Sequence, residues 1–140
     1  MIVPVGPDDI EAIKRLKARY FRLMDTKQWD AFAELFTDDL EFEAPDDPGA
    51  RPVRGRDDFV RDVSTILQDA VTAHHGHMPE IDLTGPDSAT GTWAMEDVVE
   101  FADGRGFRGY GHYTEEYARV DGEWRIRRLV LTRLRRDPLG

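Results

Sequence analysis

At Thr72 the apolar pattern of this chain changes from helical spacing to alternation, and that change restricts the fold more than any other feature. Before it, apolar residues recur three and four apart. After it come alternating stretches at about 72–84, 88–101, 107–120 and 123–136, separated by Gly85-Pro86-Asp87-Ser88, Ala102-Asp103-Gly104-Arg105-Gly106 and Asp121-Gly122. The Asp-Gly pair between Val120 and Glu123 is a strong two-residue hairpin signal. Helices first and a long antiparallel meander last predict an α+β domain in which a curved antiparallel sheet wraps around N-terminal helices.

The helical half has readable boundaries. Pro7-Asp8-Asp9-Ile10-Glu11 opens a helix, with Asp8 as cap and Glu11 reaching back to it. Ile10, Ile13, Leu16, Tyr20, Leu23 and Met24 carry that helix to about Thr26, and Asp25 falls at the border of the apolar stripe instead of on the solvated face. Thr26 is expected to cap a second helix with Trp29, Phe32, Ala33 and Phe36 on one side, ended by Asp38-Asp39. Leu40, Phe42 and Ala44 then alternate as a short strand, Pro45 to Gly49 form a loop, and a third helix after Gly55 presents Phe59, Val63, Ile66, Leu67 and Ala70.

Length and charge narrow the function classes. The 140 residues, 40% of them apolar, suit a single domain spanning 1–140. No run approaches eighteen apolar residues, and Met1-Ile2-Val3-Pro4-Val5 is too short and too uncharged for a signal peptide, so a soluble cytoplasmic protein without a membrane partner is expected. The chain has no cysteine, which removes disulfides, thiolate nucleophiles and cysteine metal sites. A net charge of -9 makes nucleic acid a poor partner. The last strand is nevertheless rich in arginine: Arg125, Arg127, Arg128, Arg133, Arg135 and Arg136. They suit a solvated outer face or a site for an anionic substrate group.

Thr72 to Ile81 holds three of the four histidines. Strand parity sends His75 and His77 to one face and His74 to the other. A four-residue loop at Gly85–Ser88 pairs Thr84 with Ala89, sets Gly76 opposite Asp97 and His74 opposite Val99, and puts His74, Asp97, Met95 and Trp93 on one face. For the next strand a two-residue Asp103-Gly104 turn places Tyr110 opposite Asp97, whereas a five-residue loop places Gly111 there. A two-residue Asp121-Gly122 turn makes Tyr117 face Ile126, Tyr113 face Val130, and Glu115 face Arg128, so that Arg128 would share its face with Trp124, Ile126 and Val130.

Tyr20-x4-Asp25, Gln28-Trp29-Asp30-Ala31-x3-Leu35-Phe36-Thr37-Asp38-Asp39, Thr72-x-His74, Ala89-Thr90-Gly91-x-Trp93 and Asp121-Gly122-x-Trp124-x-Ile126 resemble, in that order, the SnoaL-like proteins of the nuclear-transport-factor-two-like (cystatin-like) superfamily. The resemblance covers nearly the whole chain. It implies a cone-shaped barrel with a central pocket, and a homodimer or homotrimer formed through the outer face of the sheet. Within the superfamily the pattern is most similar to the scytalone dehydratase, bile-acid dehydratase and dehydrochlorinase group, whose members work without a metal or other cofactor. Their base is a strand histidine polarised by an aspartate at the end of the first helix. Carried onto this chain, the resemblance implies His74 as base, Asp25 as its orienting acid, Tyr20 as hydrogen-bond donor and Asp97 as a further acid.

β-Elimination needs such a set: a base for the proton beside an activating group and an acid for the departing atom. Trp29, Phe42, Trp93, Met95, Tyr113 and Arg128 are the expected substrate-binding residues, suited to a small hydrophobic cyclic or aromatic compound. The expected function is therefore a cofactor-independent, dehydratase-like lyase or isomerase. Two alternatives stand beside it: a non-catalytic small-molecule-binding protein of the same fold, and a metal-dependent enzyme using His75, His77 and His112, although i, i+2 spacing puts only two of those ligands on one strand face.

Overall fold

The computed structural model describes residues 6–140, so the opening Met1–Val5 lies outside the described residues. In chain order the elements are α1 (Pro7–Asp25), α2 (Trp29–Ala33), β1 (Phe36–Glu43), β2 (Val53–Arg54), α3 (Arg56–Leu67), β3 (Val71–Gly85), β4 (Ser88–Glu100), β5 (Gly106–Val120) and β6 (Glu123–Leu139). The six strands form one sheet in the order β2-β1-β6-β5-β4-β3, in which β1 runs parallel to β6 and every other neighbour is antiparallel. The sheet is curved but unclosed, so the expected barrel is an open wrap around the helices. Ile13, Leu16 and Tyr20 of α1 bury against Trp93, Tyr113, Tyr117, Ile126 and Leu129 of the sheet. Two surface hollows are described: about 750 Å³ along Arg15, Arg19 and Arg22 of α1, and about 160 Å³ over His75, Glu96 and Tyr110.

Several helix ends differ from expectation. Gly6 caps α1, with Pro7 in the first turn, and the reaching acid is Asp9, whose carboxylate accepts the Gly6 N–H at 2.9 Å. Asp9 is drawn to this position because it also takes the Trp124 indole N–H at 2.9 Å. The Thr26 hydroxyl donates back to the Arg22 carbonyl at 2.7 Å and caps nothing ahead of it. α2 stops at Ala33 because the chain joins the sheet: the Ile126 N–H donates to the Leu35 carbonyl at 2.8 Å, and Phe36 already pairs with Ile126 in β1. On α3, Phe59 is buried, Ile66 is 61% exposed, and Ala70 packs beyond the helix with Val99 and Phe107.

The four long strands β3 to β6 fall where alternation predicts them, whereas β1 begins at Phe36, inside the expected second helix, and β2 lies in the stretch between the expected loop and third helix; the registers of the long strands are shifted by bulges. Gly85 pairs with Ser88 around a two-residue turn, and slips at Thr84 and at Met78-Pro79 bring His74 directly opposite Asp97. Pro79 has no N–H to give the ladder, so the strand bulges there and Met78 turns outward at φ 38°. Two slips of one residue restore parity, and His74, Asp97, Met95 and Trp93 do share the inner, buried face. The β4–β5 loop is Phe101–Arg105, which puts Gly109 opposite Asp97, in neither of the two expected registers. Trp93 then pairs with Tyr113, which is inward, while Tyr110 and His112 are on the outer face.

On β6 Tyr117 does face Ile126, around Asp121 and Gly122 at φ 52° and 81°. A single slip then leaves Arg127 unpaired, so that Glu116 faces Arg128, Glu115 faces Leu129 and Tyr113 faces Leu131. One slip reverses parity. Arg128 therefore leaves the inner face and joins Glu41, Glu43 and Glu116 outside, within 3.0, 3.7 and 3.7 Å. Leu129, Leu131 and Arg133 turn inward in its place.

Candidate active site

Asp25 closes α1 at the border of its apolar stripe, which aims the carboxylate at the inner face of β3. Three donors from that strand meet it: the Thr72 hydroxyl at 2.8 Å, the His74 backbone N–H at 2.8 Å and the His74 Nδ1 at 2.6 Å. A carboxylate can only accept, so Nδ1 carries a proton, and in the neutral ring the lone pair is on Nε2, on the far side from Asp25. His74 is 8% exposed, and the Phe21 ring lies nearly parallel to it with centroids 6.4 Å apart. Gly76 makes that approach possible, because a Cβ there would meet Phe21 at 2.8 Å and Trp93 at 3.0 Å.

Asp97 Oδ2 lies 3.8 Å from His74 Nε2, too far for a hydrogen bond. Both Asp97 oxygens are taken instead by Arg133, Nη1 to Oδ1 at 2.9 Å and Nη2 to Oδ2 at 3.1 Å. Each Asp97 oxygen thus accepts one bond from Arg133. The other edge of the same guanidinium binds Asp47 in the loop after β1: Nε donates to Oδ1, and Nη2 to Oδ2 at 3.2 Å. From the sequence Arg133 is only one of the six arginines of the last strand, and Arg128 is the one expected on the inner face. The one legible signal for Arg133 is Gly109-x-Gly111 in β5, since paired glycines inside a strand mark close approach. A Cβ at Gly109 would fall on Arg133 Nη1 and Asp97 Oδ1.

Deeper in the wrap is a second ionic unit. Lys17 follows Ile13 by one turn and precedes Tyr20 on the apolar stripe, and it is fully buried. Its Nζ lies 2.5 Å from Glu115 Oε2, and 3.7 and 3.6 Å from the ring centres of Tyr20 and Tyr113. The Tyr117 hydroxyl donates to Glu115 Oε1 at 2.5 Å and accepts the Trp93 indole N–H at 3.0 Å. Burial pushes the Lys17 ammonium down to about 8, against the attraction of Glu115. Burial first, and then neighbouring charge, hold the Tyr20 hydroxyl far above its ordinary range, so it remains a proton donor.

Residues 8–130 match the family model described as the SnoaL-like domain. The chain belongs to this family. A Gibberella zeae protein named Probable cyclase FGR4 is 26% identical over 93% of this chain and 94% of its own length. A scytalone dehydratase-like protein of Novosphingobium aromaticivorans DSM 12444 superposes with a TM-score of 0.83 at 24% identity, covering 91% of this chain and 85% of that one. The hexachlorocyclohexane dehydrochlorinase LinA-type3 from Novosphingobium barchaimii LL02 does so with a TM-score of 0.79 at 21% identity, covering 95% and 91%. At these identities the two structures establish the shared fold, which is the one the sequence pattern resembles.

In this SnoaL-like domain the structure gathers Asp25, His74 and Asp97 with Trp93, Met95, Tyr20 and Tyr113 on the inner side, all but Asp25 buried. It does not gather the rest. Trp29 is half-buried and donates to Gln68 Oε1 at 3.0 Å, while Phe42 packs on Phe59 with centroids 4.8 Å apart. Arg128 is on the outer face. His75 and His77, with side chains 63% and 54% exposed, face Glu96 on that outer side at 3.5 and 3.7 Å. His112 lies on the same outer face, opposite Ala94. Among the described residues no group of three or more His, Cys, Asp or Glu is arranged to hold a metal, and no helix is long and apolar enough to cross a membrane.

Proposed function

We propose that this protein is a cofactor-independent lyase or isomerase that removes a proton from a small hydrophobic cyclic substrate, with His74 as the base. The observation that carries the reading is the double engagement of Asp25 with the Nδ1 and the backbone N–H of a residue 49 positions away. It fixes both the tautomer and the direction of the ring. Nε2 takes the proton from the carbon beside a carbonyl, and Asp25 stabilises the imidazolium that forms. The electron pair of the broken C–H bond moves into the ring as an enolate, whose oxygen receives the Tyr20 hydroxyl proton as a hydrogen bond. When the leaving group is hydroxide, the imidazolium returns its proton and water departs; when only the double bond moves, the proton is returned to another carbon.

Proton abstraction is measured directly by incubating the protein in D₂O with cyclic ketones bearing a β-hydroxyl or β-halogen. Deuterium should enter beside the carbonyl, or the unsaturated product should appear, with wild type and not with His74→Ala. Equal rates in the two proteins would refute the assignment. Asp25→Asn should lower the rate by roughly 10²–10⁴, through loss of the tautomer and of the charge opposite the imidazolium.

A further inference from the structure

Arg133 has almost no donor left for a ligand. Four N–H···O bonds tie its guanidinium to two carboxylates: one edge to Asp97, the other to Asp47, with Nη2 shared between them. The two carboxylates are not equally fixed. Asp97 has a side chain 2% exposed and is set in the middle of β4, between His74 and Gly109 in the ladder. Asp47 is on a surface loop between Pro45 and Pro48, with a side chain 19% exposed and a second cation, Arg136, at 3.4 Å. The loop has another anchor as well, since Asp46 Oδ2 accepts the Arg133 backbone N–H at 2.8 Å. Asp47 thus has a second cation beside its carboxylate, and the loop that carries it has an anchor independent of it.

We propose that Asp47 is a built-in occupant of an anion subsite, and that the guanidinium edge it holds accepts a carboxylate group of the ligand when Asp47 swings to Arg136. This rests on the reading that the interior beside His74 is the substrate site, and it adds the ligand class and the residue that screens it. The geometry gives the reason for selectivity. A guanidinium binds planar oxyanions in two parallel bonds, and the group now held in that mode is itself a carboxylate. Neutral ligands gain too little from that edge to displace Asp47, whereas an aromatic carboxylate replaces it bond for bond. Nη2 also bonds Asp97 Oδ2, which lies 3.8 Å from His74 Nε2, so one carboxylate separates this guanidinium from the base.

Benzoate is the probe, with binding measured by titration calorimetry and by the side-chain ¹⁵N–¹H signal of Arg133 Nε. Apparent affinity falls by the fraction of sites already open, so releasing the internal occupant with Asp47→Asn should tighten benzoate by roughly tenfold. Asp46→Asn changes the net charge equally and leaves the guanidinium bonds in place, so it should change affinity less than about twofold. In wild type the Arg133 Nε signal should move on benzoate addition. An unchanged benzoate affinity in Asp47→Asn, an equal gain in Asp46→Asn, or an unmoved Arg133 signal would each overturn the proposal. The same comparison made in His74→Ala separates it from the catalytic reading: tightening there supports the subsite even if the exchange assay finds no turnover.

Discussion

The buried Lys17–Glu115 pair allows the sharpest physical prediction. Lys17 is pushed from 10.5 down to about 8. That corresponds to roughly 3 kcal/mol against the charged form, so desolvation outweighs the attraction of Glu115. Removing one partner leaves the other buried and unpaired, at about 3–5 kcal/mol, whereas removing both charges also removes the desolvation cost. Lys17→Met and Glu115→Gln should each lose about that much, while the double variant should come within about 1 kcal/mol of wild type or exceed it. Methionine keeps the stem that lies between the Tyr20 and Tyr113 rings, and glutamine keeps an oxygen for the Tyr117 hydroxyl. Urea unfolding at pH 7 reads these differences as midpoint shifts at constant slope. A double variant that loses the sum of the two single losses, or single losses below about 1 kcal/mol, would refute the reasoning.

The same group sets a pH dependence. Between about pH 8 and 10 the folded chain has given up the Lys17 proton that the unfolded chain still binds, so wild-type stability should rise across that window and Lys17→Met should lack the rise. The tyrosines act in the opposite sense: Tyr20, Tyr113 and Tyr117 are all held above their ordinary value of 10.0. Stability they supply below that value should be lost as pH climbs past about 10, seen as a steep fall in urea midpoint. Gly109→Ala places a methyl on the Arg133–Asp97 contact and should cost about 1–3 kcal/mol in thermal or urea unfolding; an unchanged midpoint would mean that the contact is not held as described. Gly122→Ala, at φ 81° in the hairpin turn, should cost about 1–2 kcal/mol without altering His74 chemistry, checked by melting and by the exchange assay together.

Periodicity was enough to locate the four long strands and the buried face of α1, because alternation and the 3.6-residue repeat are imposed by the solvent boundary itself, but it missed β2 and the start of β1. What it does not encode is where a ladder slips, and the site depends on the number of slips. On β3 two slips separate the turn from His74, so the inward histidine was legible although its partner was off by two residues. Pro79 gave notice of one of those slips. On β6 one slip at Arg127 separates the turn from the site, and the inward arginine becomes Arg133 in place of Arg128. Nothing in the residues around Arg127 announces it; the signal is on the neighbouring strand, in glycines whose missing Cβ atoms make room for a guanidinium. Lys17 lies on the stripe that runs through Ile13, Tyr20 and Met24, but spacing alone does not bury it, since a lysine stem can carry its ammonium out to water; its burial depends on Glu115, which only the tertiary fold brings to it. A strand arginine in this fold is therefore better assigned from the glycines opposite it than from its own parity, because a single bulge reverses parity but leaves the space made by two missing side chains where it was.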